Sequence, residues 1–149
     1  MHDKFDFDAF LTSGVRSLTK YCAAIVGAAD AEDAAQEAYV RLWQNLYRIP
    51  DENSASAFLY RTAYRVSIDI LRSRKKFREP EARPQTERPL SEKTVQALME
   101  LKPIDRAVIY SRVVEEAGYD EIAARFGRNE AWARKRYSLA RAKLEKILK

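Results

Sequence analysis

Two clusters of arginine, each spaced to one side of a helix, carry the chemistry this sequence offers, and that chemistry is the binding of a polyanion. In the last twenty residues Ser138 and Arg141 fall within about 40° of Arg134 at 3.6 residues per turn, with Lys135 to one side. Arginine can bond bidentately to guanine, and lysine and serine can hold phosphates. Ala133, Tyr137, Ala140, Leu144 and Ile147 form an apolar stripe on the other side. Between Ser56 and Lys76, Arg61, Arg65 and Arg72 likewise share one side, opposite Leu59, Ala63, Val66 and Ile70. Phe58 and Ile68 flank those arginines, and Tyr60 and Tyr64 lie at one edge. Cations interleaved with rings suit single-stranded or melting DNA, because guanidinium groups hold phosphates and rings stack on exposed bases. A third set, Asp33, Gln36 and Glu37, is spaced by three and four, with Arg41 continuing the same side. Acids at a helix start are explained by the helix dipole alone, and equally by a face that docks on another protein. On residue types alone, each basic face is also consistent with an ordinary solvated helix surface.

Other chemistries lack their residues. His2 is the only histidine and lies at the chain end. No His/Cys cluster has metal-ligand spacing, and there is no glycine-rich phosphate loop and no Ser/His/Asp set. The reading is of a protein without catalytic residues, cofactor or metal. Cys22 is the one cysteine, falls on an apolar stripe and reads as inert packing. With no internal disulfide, no secretion signal and no long apolar run, the chain is expected in the cytoplasm, without membrane insertion. The net charge is +5, and it is concentrated. Residues 51–78 hold seven basic against three acidic residues, and residues 128–149 hold eight against two. Two basic blocks on an otherwise acidic frame suggest two contacts with a polyanion.

The elements that must position these residues are helices throughout. Phe7, Leu11, Val15, Leu18, Cys22 and Ile25 mark a first helix that stops at Gly27. Asp30 is expected to cap a second, which buries Ala35, Ala38, Tyr39, Leu42 and Leu46 and ends before Pro50. Trp43 and Tyr47 read as core. Ser54 or Ser56 starts a third helix running to about Arg74. The segment KKFREPEARPQTERP, rich in proline and charge, reads as an exposed linker. Helical spacing resumes at Ser91, with Val95, Leu98, Met99 and Leu101 inward, and Pro103 interrupts it. Ile104–Glu116 is expected as one helix, broken by Gly118; Tyr119–Phe126 is a short one; Gly127 makes a tight turn; Glu130–Leu148 is the last. A short helix, a glycine turn and a longer basic helix make a helix-turn-helix plan, in which the second helix enters the major groove. The expected fold is all-α: a domain over 1–76, a linker over 77–90 and a second domain over 91–149.

In this order the segments resemble a known family. DAEDAAQEAYVRLWQNL is similar to the polymerase-docking helix of extracytoplasmic-function sigma factors, SAFLYRTAYRVSIDILRSRKK to the helix that follows it, and ALMELKPIDRAVIYSRVVEEAGYDEIAARFG with the basic helix after it to that family's C-terminal domain. The likeness covers about residues 7–76 and 91–148. It implies a sigma factor that binds core RNA polymerase (β′ clamp and β flap) and promoter DNA, often restrained by an anti-sigma factor. It assigns Asp33, Gln36, Glu37 and Arg41 to the β′ clamp helices. Tyr60, Arg61, Asp69 and Arg72 fall to the −10 element, and Arg65 stands beside them where the family usually has asparagine. Arg134, Lys135, Arg136, Ser138 and Arg141 fall to the −35 element.

Other positions also depart from the family pattern. Arg128 follows the turn glycine where an apolar residue is usual, Trp132 stands for threonine, Ala133 for valine and Leu139 for arginine. The seal between the two motif helices is therefore expected to be thin, with Trp132 and Leu139 away from the apolar stripe, against thymine methyls or a protein, or with Trp132 folded down over its own helix. Rival readings are a sigma mimic that sequesters an anti-sigma factor and a helix-turn-helix regulator acting without polymerase.

Overall fold

The computed structural model describes residues 5–77 and 92–149. Apart from Phe77, the expected linker lies outside the described residues, as do Ser91 and the Val95 side chain. Among the described residues all regular structure is helical, in the order α1 (Phe7–Val26), α2 (Ala28–Gln44), a 3-10 turn (Leu46–Arg48), α3 (Glu52–Phe77), α4 (Glu92–Glu100), α5 (Pro103–Ile109), a π turn (Tyr110–Val114), α6 (Tyr119–Phe126) and α7 (Glu130–Leu148).

The Asp6 carboxylate opens α1 by accepting from the Ala9 N–H at 3.2 Å. Gly27 closes it at φ 92°, a conformation side chains other than hydrogen resist. Because the chain reverses on that one residue, α2 restarts at once. Asp30 is therefore not its cap but sits in the first turn, where its carboxylate pairs with Arg74 from the far end of α3. Nor do Ser54 and Ser56 start α3: Asp51 takes that place, accepting from the Ser54 N–H at 2.8 Å. The three helices bury Leu18, Tyr21, Cys22, Ile25, Leu42, Leu59 and Ala63 between them. Ala31, Ala34, Ala35 and Ala38 keep the inner face of α2 small, which lets the helices approach closely. Trp43 and Tyr47 are not core; they are 61% and 76% exposed. Leu42 and Leu46 take the inward positions, and Trp43 lies edge-on to Phe7 at 5.0 Å.

In the second unit the expected interruption falls between α4 and α5, and Pro103 begins α5 at a position whose N–H would be unpaired anyway. The helix expected over 104–116 is split. After Ile109 the chain widens into a π turn, where the Glu115 N–H reaches the Tyr110 carbonyl at 3.2 Å and the Ala117 N–H reaches that of Ser111 at 2.9 Å. Glu116 then takes φ 54°. Met99 faces solvent, while Leu101 is buried and Leu98 packs beside it. The motif helices lie where their spacing places them: α6 ends at Gly127 in the left-handed region, φ 65°, and Asn129 caps α7 by accepting from the Trp132 N–H at 2.9 Å. Val108, Ala117, Ile122, Ala123 and Ala133 form one small core, and Leu101, Ile109 and Ala140 another. The N-terminal core extends to Ala107, Tyr110 and Phe126, so the two units pack on each other. None of the described helices is long and apolar enough to cross a membrane.

Candidate nucleic-acid interface

The exposed side of α7 carries Arg134, Lys135, Ser138 and Arg141, because Ala133 and Ala140 are fully buried on the opposite side. Asn129 sets the first turn, so the basic side begins one turn after the glycine bend. Arg134 pairs with Glu130 at 3.2 Å and Arg141 with Glu145 at 3.2 Å, both on the surface. Pairs of this kind are worth little and exchange readily for a phosphate. The Arg134 guanidinium also lies 4.8 Å from the centroid of the Tyr119 ring, with Arg112 at 4.1 Å from the same ring. Arg136 belongs to another side. Its guanidinium bonds to the fully buried Asp105 carboxylate at 3.3 Å, which Lys143 approaches at 3.4 Å. A buried carboxylate needs such partners, so Arg136 ties α7 to α5. The sequence carries no signal for this role of Asp105, because an acid at the start of a helix is equally what the helix dipole favours.

The expected thin seal between α6 and α7 is filled from an unexpected quarter. Trp132 is half-buried and packs on Phe126 at 5.4 Å, with Arg128 at 5.6 Å and Arg136 at 5.9 Å from its ring. Only Leu139 of the expected outer pair is exposed.

On α3, Arg65, Asp69 and Arg72 are exposed along one side. Arg61 is half-buried and donates to the Ala124 carbonyl at 2.9 Å. Tyr60 is buried, and its hydroxyl donates to Glu115 at 2.9 Å. Burial pushes the Tyr60 phenol far above its ordinary value, and the Glu115 carboxylate pushes the same way. Asp33, Gln36, Glu37 and Arg41 are all exposed on α2, with Glu37 and Arg41 paired at 2.9 Å. The two helices meet at a cleft of about 430 Å³, lined by Glu37, Arg41, Gln44, Asn45, Arg48, Phe58, Arg61, Thr62 and Arg65. Packing thus brings the end of the α2 set together with the start of the α3 set. Asp69 and Arg72 lie further along α3, and the α7 residues form a separate surface.

Arg125 escaped the sequence reading, although it stands three residues after Ile122 and so on the apolar side of α6. It is buried, donates to Glu115 at 2.6 Å and to Ser111 at 2.8 Å, and covers the Tyr60 ring at 3.7 Å. Cys22 is buried as expected, and burial pushes its thiol up to about 11. Among the described residues no group of His, Cys, Asp and Glu is placed to hold a metal ion.

A family comparison matches Sigma-70 region 2 over residues 4–77 and Sigma-70 region 4 over residues 91–144. Comparison with functionally curated proteins gave no match. Among solved structures the fold is similar to the sigma factor RpoE of Bartonella quintana, solved in complex with the anti-sigma factor NepR. The TM-score is 0.75, at 20% identity over 96% of each chain. The chain belongs to the sigma-70 family of transcription initiation factors, with regions 2 and 4 as its two units. Members of that family are not enzymes, and their partners are RNA polymerase and promoter DNA.

Proposed function

We propose that this protein directs promoter-specific initiation through three helix faces with separate tasks. Arg134, Lys135, Ser138 and Arg141 on α7 read and hold the −35 element. Arg65, Asp69 and Arg72 on α3, with Tyr60 and Arg61, take the −10 strand. Asp33, Gln36, Glu37 and Arg41 on α2 dock on the β′ clamp helices, and the C-terminal unit meets the β flap. Arg136 positions α7 and does not touch DNA. The observation that carries the reading is the α7 surface: four polar or cationic side chains exposed together after a left-handed glycine turn, opposite a fully buried alanine pair. That is the arrangement a major-groove helix requires. The two domains are taken as 1–76 and 91–149 with 77–90 as the linker, a division supported by described helices that end at Phe77 and resume at Glu92. Catalysis belongs to the polymerase, and this chain supplies promoter choice. RpoE of Bartonella quintana was solved with an anti-sigma factor, and a partner of that kind is proposed here too.

The test is transcription in vitro with core RNA polymerase, this protein and a pool of promoter fragments from the source genome. Initiation at discrete sites that needs the added protein is the expected result. A protein that neither supports initiation nor binds core polymerase would overturn the reading.

A further inference from the structure

The line of α7 that faces straight away from the buried Ala133 and Ala140 carries little bulk. At 3.6 residues per turn Ala131 and Ala142 lie within about 10° of that line, and Ser138 and Lys135 within about 30°. All four are exposed. Arg134 and Arg141 stand about 70–90° to one side, each turned along the helix to its acidic partner, Glu130 or Glu145. Leu139 stands about 70° to the other side and is 46% exposed. A helix is about 10–12 Å across and the major groove about 12 Å wide. A ridge of small residues therefore meets the floor of the groove, while the long cations reach the phosphates on its walls.

Of the large apolar side chains on α7 only Leu139 is exposed. Trp132 packs on Phe126 at 5.4 Å with Arg128 and Arg136 beside its ring, so it forms no patch with Leu139. The residues three and four away from Leu139 are Lys135, Arg136, Ala142 and Lys143. A protein interface keeps charge away from its centre. A polyanion calls for it: the cations take phosphates, and the leucine is left to meet a base edge. In the major groove the apolar feature of a base edge is the C5 methyl of thymine.

We infer that Leu139 reads a thymine methyl, so that the −35 element of this protein carries a thymine under the third turn of α7. The inference rests on the reading of α7 as the −35 helix. Leu139 follows Arg134 by five residues, about 7.5 Å along the axis and so about two base-pair steps, which keeps both within one element. An arginine at this position would favour guanine through its paired donors; leucine has no donor and selects by shape and apolar contact.

The experiment uses holoenzyme, the full chain with core RNA polymerase, on a promoter fragment recovered in the transcription assay. Each thymine of its −35 segment, on either strand, is replaced in turn by deoxyuridine, which lacks only the C5 methyl. Anisotropy of the fluorescent duplex gives the affinity. The parent is expected to lose about fourfold at one thymine, the equivalent of one methyl group taken out of apolar contact. Leu139→Ala is expected to bind the natural duplex more weakly by about that factor or more, and to be indifferent to uridine at that position. Alanine suits an exposed helix position, so the variant keeps its fold. A parent and a Leu139→Ala variant that respond alike to uridine at every position would overturn the thymine reading alone. So would weaker capture of core polymerase by Leu139→Ala in the absence of DNA, which would make Leu139 a protein contact. Holoenzyme whose binding survives both scrambling of the −35 segment and Arg134→Ala would overturn the −35 reading of α7, and this inference with it.

Discussion

The Tyr60 hydroxyl and the Glu115 carboxylate share a hydrogen bond of 2.9 Å across the joint between the two sigma regions, and the burial of this phenol beside that carboxylate makes stability depend on alkaline pH. Burial first, and Glu115 second, hold the Tyr60 phenol well above its usual value; burial alone holds that of Tyr39 at about 12. In the unfolded chain both phenols ionise near about 10. A folded value raised above the unfolded one gives stability that is complete below the unfolded value and lost as pH rises through the folded one. The thermal midpoint is therefore expected to be level from about pH 7 to 9 and to fall above about 10. Tyr60→Phe should reduce the slope of that fall. Melts followed by circular dichroism across this range check it, and a midpoint level through about pH 12 would contradict it.

The faces of α2 and α7 are predicted to separate by mutation. Arg134→Ala and Arg141→Ala should each weaken −35-dependent binding by about 1–3 kcal/mol while polymerase binding survives. Asp33→Ala should do the reverse. Binding measured on both ligands decides the matter, and losses of equal size on each would remove the division of labour.

Tyr119 gives Arg134 a ring to lie on. Replacing it with leucine should cost promoter affinity about 0.5–1 kcal/mol, less than losing Arg134 itself. An Arg134→Ala, Tyr119→Leu double variant should lose little beyond Arg134→Ala alone.

Asp105 is fully buried between Arg136 and Lys143. Its partners reach water, so Asp105→Ala does not strand a buried cation. It should still cost the C-terminal unit about 1–3 kcal/mol in denaturant unfolding. Arg136→Met is expected to destabilise as well, since it leaves the carboxylate with Lys143 alone, while the exposed −35 residues keep their phosphate contacts. A loss of DNA binding with no loss of stability would return Arg136 to the DNA-reading set.

Gly127→Ala isolates the turn. An added Cβ would meet nothing within 4 Å, so the cost is backbone conformation alone, about 1–2 kcal/mol for the left-handed region. Equilibrium unfolding of the parent and the variant measures it.

Legible from the residues alone was whatever depends on neighbours along the chain. The spacing of Leu59, Ala63, Val66 and Ile70 defined the inner side of α3, and Gly127 between two periodic runs marked the motif turn with its limits at Phe126 and Glu130. Both basic blocks were visible for the same reason, since helical periodicity and charge are local properties. Termini were less legible, because Asp30 and Asp51 are both chemically competent caps and only the reversal at Gly27 decides between uses.

Tertiary structure decided which side of each helix meets which neighbour. A helix wheel sorts residues by angle without saying what lies across from them. Tyr60 and Arg61 looked like the start of an open DNA-binding side, yet packing of the second unit turned one into a donor to Glu115 and the other into a cap on α6. Arg106 and Arg125 are buried because each meets carbonyl, hydroxyl or carboxylate acceptors that exist only once the helices are assembled. Trp43 went the other way, since the small alanine face of α2 had already filled the space against α1 and α3.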